Sequence, residues 1–137
     1  VRKASNALSR IYLNARRNNQ ISSCVVLQSV SAQDGYRSGE DAFLLIESEA
    51  KPEVAVYTAA DGEALSIQCV HSASRIPVGF FMKSEGRVEL SFQTQGNDWD
   101  GWRFVDSQTG KRYSLTENIT LDDVASGSGR FYLEKED

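Results

Sequence analysis

The sequence predicts an all-β domain: an antiparallel β-sandwich with jelly-roll or Greek-key connections and about ten short strands. Apolar residues recur at every second position in run after run, as in Leu65, Ile67 and Cys69, or Val88, Leu90 and Phe92. Turn formers such as Asp61-Gly62, Ser84-Glu85-Gly86 and DSQTG from Asp106 to Gly110 separate these runs, at intervals of roughly 8–12 residues. No stretch carries the three-to-four spacing of a convincing amphipathic helix. A closed barrel is the second architecture compatible with this grammar.

Residues 1–8 carry Arg2 and Lys3 with no clear period and read as a linker or arm, leaving 9–137 as a single domain. Ile11 and Leu13 alternate with Arg10, Tyr12 and Asn14 in a first strand, and RRNNQ forms a polar turn into a second strand from Gln20 to Gln28, so the two make a hairpin. Ser29 to Asp41 is the longest loop-like stretch, ending before a short apolar run at Phe43. Val54 and Val56 alternate after the Pro52 break. Leu65, Ile67 and Cys69 share one face of the next strand. Ile76 to Met82 is almost wholly apolar, as in a central strand covered on both faces. Val88, Leu90 and Phe92 face inward on the strand that follows. After the loop Gly96–Gly101 come Trp102–Val105, a turn at DSQTG, a return strand to Leu115, an alternating pair at Ile119 and Leu121, and a last strand with Phe131 and Leu133 inward. The expected core is therefore Leu13, Ile67, Val78, Phe80, Leu90, Phe92, Trp102, Phe104, Phe131 and Leu133.

The 137 residues suffice for one core without staples. A net charge of −4 argues against nucleic acid as the main partner, since phosphate binding wants a basic face. No run approaches the roughly 18 apolar residues of a membrane helix. The chain opens on Val1 without a signal peptide and reads as a mature or excised piece of something longer. Cys24 and Cys69 sit on faces that look mismatched, which disfavours a bridge between them, because bridging needs Cα atoms within about 7 Å.

Catalytic signatures are sparse. His71 is the single histidine and follows a strand beside Ser72 and Ser74; adjacency in sequence does not build a nucleophile–base pair, and a solvated loop histidine explains it. One His and two separated Cys lack zinc spacing. The acidic stretches Asp98-Trp99-Asp100-Gly101 and Asp34, Glu40, Asp41 contain oxygen ligands of the kind calcium takes, but the twelve-residue loop pattern fails and turn chemistry accounts for both. No metal or other cofactor is expected, with calcium the one ion to consider. Nothing marks a pair of carboxylates facing each other across a cleft.

Trp102 alternates with Phe104 and belongs in the core. Trp99, in the polar stretch GNDWDG, is the candidate for an exposed aromatic platform, flanked by Asp98 and Asp100.

The order of motifs carries a further signal. SRIYLN, SCVVLQS, GYRSGEDA, VAVYT, EALSIQ, IPVGF, FVDSQTGKRYSLTENITL and SGRFYLE resemble a β-sandwich domain of bacterial surface and secreted proteins, found towards the C-terminus of adhesin-like chains and associated with type nine secretion. The similarity runs from Ser9 to Glu134, with Tyr12 where that family usually has Trp and no sorting domain after Asp137. The resemblance implies a cell-surface or secreted bacterial location and a non-catalytic, structural or adhesive role, with the rest of the parent polypeptide or another surface protein as partner. The alternative expectation is a carbohydrate-binding module using an exposed Trp99 and the acidic loops, with a glycan as partner. Neither nucleic acid nor membrane insertion is expected.

Overall fold

The computed structural model describes residues 9–28, 42–43, 53–60, 62–70, 74–96 and 99–136, with backbone alone at 42, 43 and 69. Among the described residues there are eleven strands and no helix: β1 (Ser9–Arg17), β2 (Gln20–Gln28), β3 (Ala42–Phe43), β4 (Val54–Ala60), β5 (Glu63–Val70), β6 (Arg75–Met82), β7 (Gly86–Gln95), β8 (Trp102–Asp106), β9 (Lys111–Ser114), β10 (Ile119–Val124) and β11 (Gly127–Lys135). The arm assigned to residues 1–8, the loops around Asp34 and Glu40, His71 and Asp98 lie outside the described residues.

All eleven strands join one sheet in the order β10-β7-β1-β2-β5-β4-β6-β11-β8-β9, with β3 added against β5. The all-β expectation is met. The ladders run through a single sheet that curls nearly into a barrel, closer to the second expected architecture than to two face-packed sheets. The two strands at the ends of the order, β9 and β10, are consecutive in the chain and joined by residues 115–118, so a short connection spans the seam. The sheet is also not wholly antiparallel, because β2 runs parallel to β5 from Val25↔Ile67 to Gln28↔Val70. Local alternation has no means of encoding that pairing.

Turn chemistry appears where the sequence placed it. Arg17 pairs with Gln20, leaving a two-residue loop in which Asn18 and Asn19 both have positive φ, 49° and 69°. That is the conformation a tight hairpin demands and asparagine tolerates. In DSQTG the Asp106 carbonyl accepts from Gly110 N–H at 2.8 Å, and its side-chain Oδ1 accepts from Gln108 N–H at 3.0 Å.

The core fills the curled sheet. Ile11, Leu13 and Ala15 of β1 meet Val54 and Val56 of β4, Ile76, Val78 and Phe80 of β6, Val88 and Leu90 of β7, Trp102 and Phe104 of β8, and Phe131 and Leu133 of β11. Phe104 stacks on Phe131 with ring centroids 5.4 Å apart, and Phe80 meets Phe131 edge-on at 5.5 Å. Eight of the ten expected core residues are fully buried, which bears out the inward faces of β1, β6, β7, β8 and β11.

Two core assignments need correction. Ile67 is 39% exposed. Leu65 is buried opposite Thr58 of β4, whereas two strand positions further on the chain has left β4 for β2, and the buried residues become Gln68 and Val70. The strand changes its inward parity between Leu65 and Gln68, so a single alternating face fails there. Phe92 is half-buried: it packs against the core edge, 5.5 Å from Phe104, near the seam.

On β6 the inward residues are as expected, and the outer face is covered unevenly. Gly79 is buried beneath the Tyr57 ring, while Phe81 is 38% exposed. Cys24 is a buried free thiol, and burial pushes its pKa up to about 12.

Candidate functional site

The expected aromatic platform is not at the surface. Trp99 is 4% exposed and packs edge-on against Trp102 with ring centroids 5.1 Å apart. Trp102 N–H donates to the Trp99 carbonyl at 3.2 Å, closing a turn whose corners are Asp100 and Gly101, the latter at φ +82°. Asp100 and Gly101 are the polar corner of a tight turn, and the indole is the apolar residue that the turn folds inward. An exposed Trp99 is thereby corrected. Asp100 is exposed at the rim of a small groove of about 160 Å³ shared with Thr94, Arg103 and Thr116. Both indole N–H groups are closed to solvent and face no acceptor among the described residues. Among the described residues, no three His, Cys, Asp or Glu side chains gather as metal ligands would.

Two motif residues quoted from the sequence do meet. Arg130 of SGRFYLE forms a two-pronged ion pair with Asp106 of DSQTG, Nε to Oδ1 at 3.0 Å and Nη2 to Oδ2 at 2.9 Å. Its remaining nitrogen donates to the carbonyls of Asp123 at 3.0 Å and Asp122 at 3.4 Å. Those carbonyls are freed by a bulge in β10, where Leu121 pairs with Val88 and Val124 with Gly86, and Asp123 takes φ +55°. One guanidinium thus ties β8, β11 and β10 together across the open side of the barrel. Burial raises the Asp106 pKa, but the bonds from Arg130 and the Gln108 N–H outweigh it and hold the carboxyl below its usual value. The cluster has satisfied donors and acceptors on every side, which is the chemistry of a clamp.

The accessible concavity lies elsewhere, on the outer face of four neighbouring strands. β1 alternates Ile11, Leu13 and Ala15 inward with Tyr12, Asn14 and Arg16 outward. Register then sets the neighbours. Arg16 stands opposite Ile21 of β2 and Glu89 of β7, and Glu89 stands opposite Thr120 of β10. Asn14 stands opposite Ser23 and Ser91, and the Ser23 hydroxyl donates to Asn14 Oδ1 at 2.6 Å. One row thus crosses four strands and the other three, and together they line a groove of about 470 Å³ with Asn118 and the 68% exposed Ile21 at its ends.

The groove shares Arg16 and Glu89 with a second concavity of about 430 Å³ at the β1–β2 turn, walled also by Arg17, Asn18, Asn19 and Arg87. The arginines differ in freedom. Arg17 lies over Gly86 and donates to the Arg87 carbonyl at 2.8 Å and to Ser84 Oγ at 3.4 Å, so it is held as part of the wall. Arg87 pairs with Asp122 at 2.9 Å, with both side chains well exposed. Arg16 is exposed, with no ion-pair or hydrogen-bond partner among the described residues.

Of these groove residues only Asn118 and Thr120 belong to a site motif in the sequence, the Asn118-Ile119-Thr120 glycosylation sequon. Arg16, Asn14, Ser91, Glu89 and Thr120 are ordinary outward positions of alternating strands, Asn18, Asn19 and Asn118 belong to connections, and only the β10-β7-β1-β2 order puts them side by side. No family model, curated protein or solved structure matches this chain.

Proposed function

We infer that the chain is a non-catalytic adhesive module of a larger bacterial surface or secreted protein, which holds its partner on the outer face of β10, β7, β1 and β2. The observation that carries this reading is the pair of adjoining grooves on that face, which share Arg16 and Glu89 and are lined by hydrogen-bonding side chains. The surface location rests on the resemblance of the strand-and-turn motifs from SRIYLN to SGRFYLE, and so does the expectation that such a module belongs to the sandwich family, its curled sheet acting as two opposed walls.

A carbohydrate-binding module built on Trp99 loses its platform, because that indole packs against Trp102 inside the fold. What remains of the glycan alternative is the groove face itself. The deciding experiment is retention of the 137-residue protein on a surface coated with bacterial extracellular polymer, both glycan and protein. Asn14→Ala/Thr120→Ala should reduce retention while Lys111→Ala, on exposed β9, leaves it unchanged. Equal retention of all three proteins, or none by any, would remove the adhesive reading.

A further inference from the structure

We propose that the groove takes an acidic glycan: a polyhydroxylated chain bearing carboxylate or sulfate groups, with an anionic group seated at Arg16 and Arg87. The inference rests on the adhesive reading and names its ligand class.

Charge is the first argument. The protein has a net charge of −4, yet the mouth of the groove gathers three guanidinium groups, with Glu89 in the lining, Asp122 paired to Arg87 and Glu53 bonded to Asn18 as their acidic neighbours. Arg16 has all its donors uncommitted among the described residues, and its planar fork suits a carboxylate or sulfate oxygen pair. Arg87 is held only by an exposed ion pair with Asp122, an interaction worth about 0–1 kcal/mol and readily exchanged for a ligand anion. Arg17 is turned away by its bonds to Ser84 and the Arg87 backbone and adds its field to the mouth without serving as a contact.

The remaining lining selects between polyanions. Beyond Arg16 the groove offers the amides of Asn14 and Asn118 and the hydroxyls of Ser91 and Thr120, with one exposed apolar side chain, Ile21. Protein-binding surfaces have an apolar, often aromatic centre; the side chains lining the groove supply none, and the row of Tyr12, Val25 and Ile67 lies outside it, beyond Asn14 and Ser23. Amides and hydroxyls matched to sugar hydroxyls, with Ile21 against the C–H face of a ring, fit an acidic sugar chain better than an acidic peptide. The open shape suits a linear chain lying across the strands.

Calorimetry and amide chemical-shift mapping with oligogalacturonate, a sulfated oligosaccharide, uncharged dextran and oligo-glutamate test this directly. One or both acidic oligosaccharides should bind saturably, with shifts at Arg16, Ile21, Glu89 and Thr120. Binding should fade at roughly 0.5 M salt, where the screening length falls to a few ångströms. Arg16→Ala should weaken it by roughly tenfold, the equivalent of one charge-assisted contact, and Arg16→Lys should recover part of the loss. Equal binding of oligo-glutamate would overturn the glycan assignment in favour of an acidic peptide. Binding that is indifferent to Arg16→Ala, or no binding of either acidic oligosaccharide, would overturn the proposal outright. Groove-dependent retention on extracellular polymer in the latter case would leave the adhesive reading standing, so the two failures are separable.

Discussion

The Tyr57 ring lies directly over Gly79. The two residues are partners on the β4–β6 ladder, and a Cβ at Gly79 would fall onto the phenol ring, which also packs against Phe81 at 4.9 Å between centroids. An aromatic laid across a strand glycine fills the space that the missing side chain leaves and covers backbone at a bend of the sheet. This is how the nearly uniform apolar run of β6 obtains cover on its outer side at that point. Tyr57 is accordingly almost buried, and burial raises its pKa against the opposing effect of a hydrogen bond with Ser128.

The pair predicts a coupled loss. Gly79→Ala should destabilise the fold by about 1–3 kcal/mol, as overpacking does. In the Tyr57→Ala background the same change should cost much less, because the ring it would strike is gone. Denaturant melts of the two single variants and the double variant give the coupling directly. Additive losses would mean that the ring does not lie where the ladder puts it.

The Asp106–Arg130 clamp predicts acid sensitivity. Folding lowers the Asp106 pKa, so its contribution is fully present above the unfolded value near 3.8 and is lost as pH falls through the lower folded value. Arg130→Ala leaves the carboxylate nearly buried without its partner and should cost about 2–4 kcal/mol at neutral pH, somewhat less than a wholly buried pair because Arg130 is partly solvated. The loss should shrink below about pH 4, where Asp106 in the variant accepts a proton readily. Melting curves from pH 7 to pH 2 follow the difference, and a constant gap between the two proteins would remove the clamp from the account.

Aromatic truncations should rank by burial. Trp99→Ala and Phe104→Ala should each cost about 3–5 kcal/mol, whereas Phe92→Ala, half-buried at the seam, should cost about 1–3 kcal/mol. A Trp99→Ala loss under about 1 kcal/mol would return that side chain to the surface and reopen its candidacy as a binding platform.

Cys24 should be inert in the folded protein. The residue is 3% exposed and burial pushes its thiol pKa up to about 12, so neither access nor thiolate favours reaction. Iodoacetamide should label it at neutral pH only as the domain unfolds, at a rate set by opening. Labelling of Cys24 as rapid as that of free cysteine, located by peptide mapping, would contradict its place in the core.

Period-two alternation determined most of what is local here. A strand buries one face, so the inward residues of β1, β6, β8 and β11 follow from spacing alone, and the positions of the turns follow from Asn, Asp and Gly in conformations that other residues resist. Tertiary structure decided the rest, for reasons of register and neighbour. Alternation says that Asn14 and Arg16 share a face, but not that Glu89 and Thr120 stand beside them; strand order is a property of the whole sheet. Ile67 and Gln68 exchanged roles because β5 breaks its alternation between Leu65 and Gln68, where its ladder with β3 slips register. Trp99 went inward because a turn can fold its apolar residue under itself, whatever the polarity of its neighbours. Asp106 and Arg130, 24 positions apart, became a clamp only when β11 paired with β8 beside the bulge of β10.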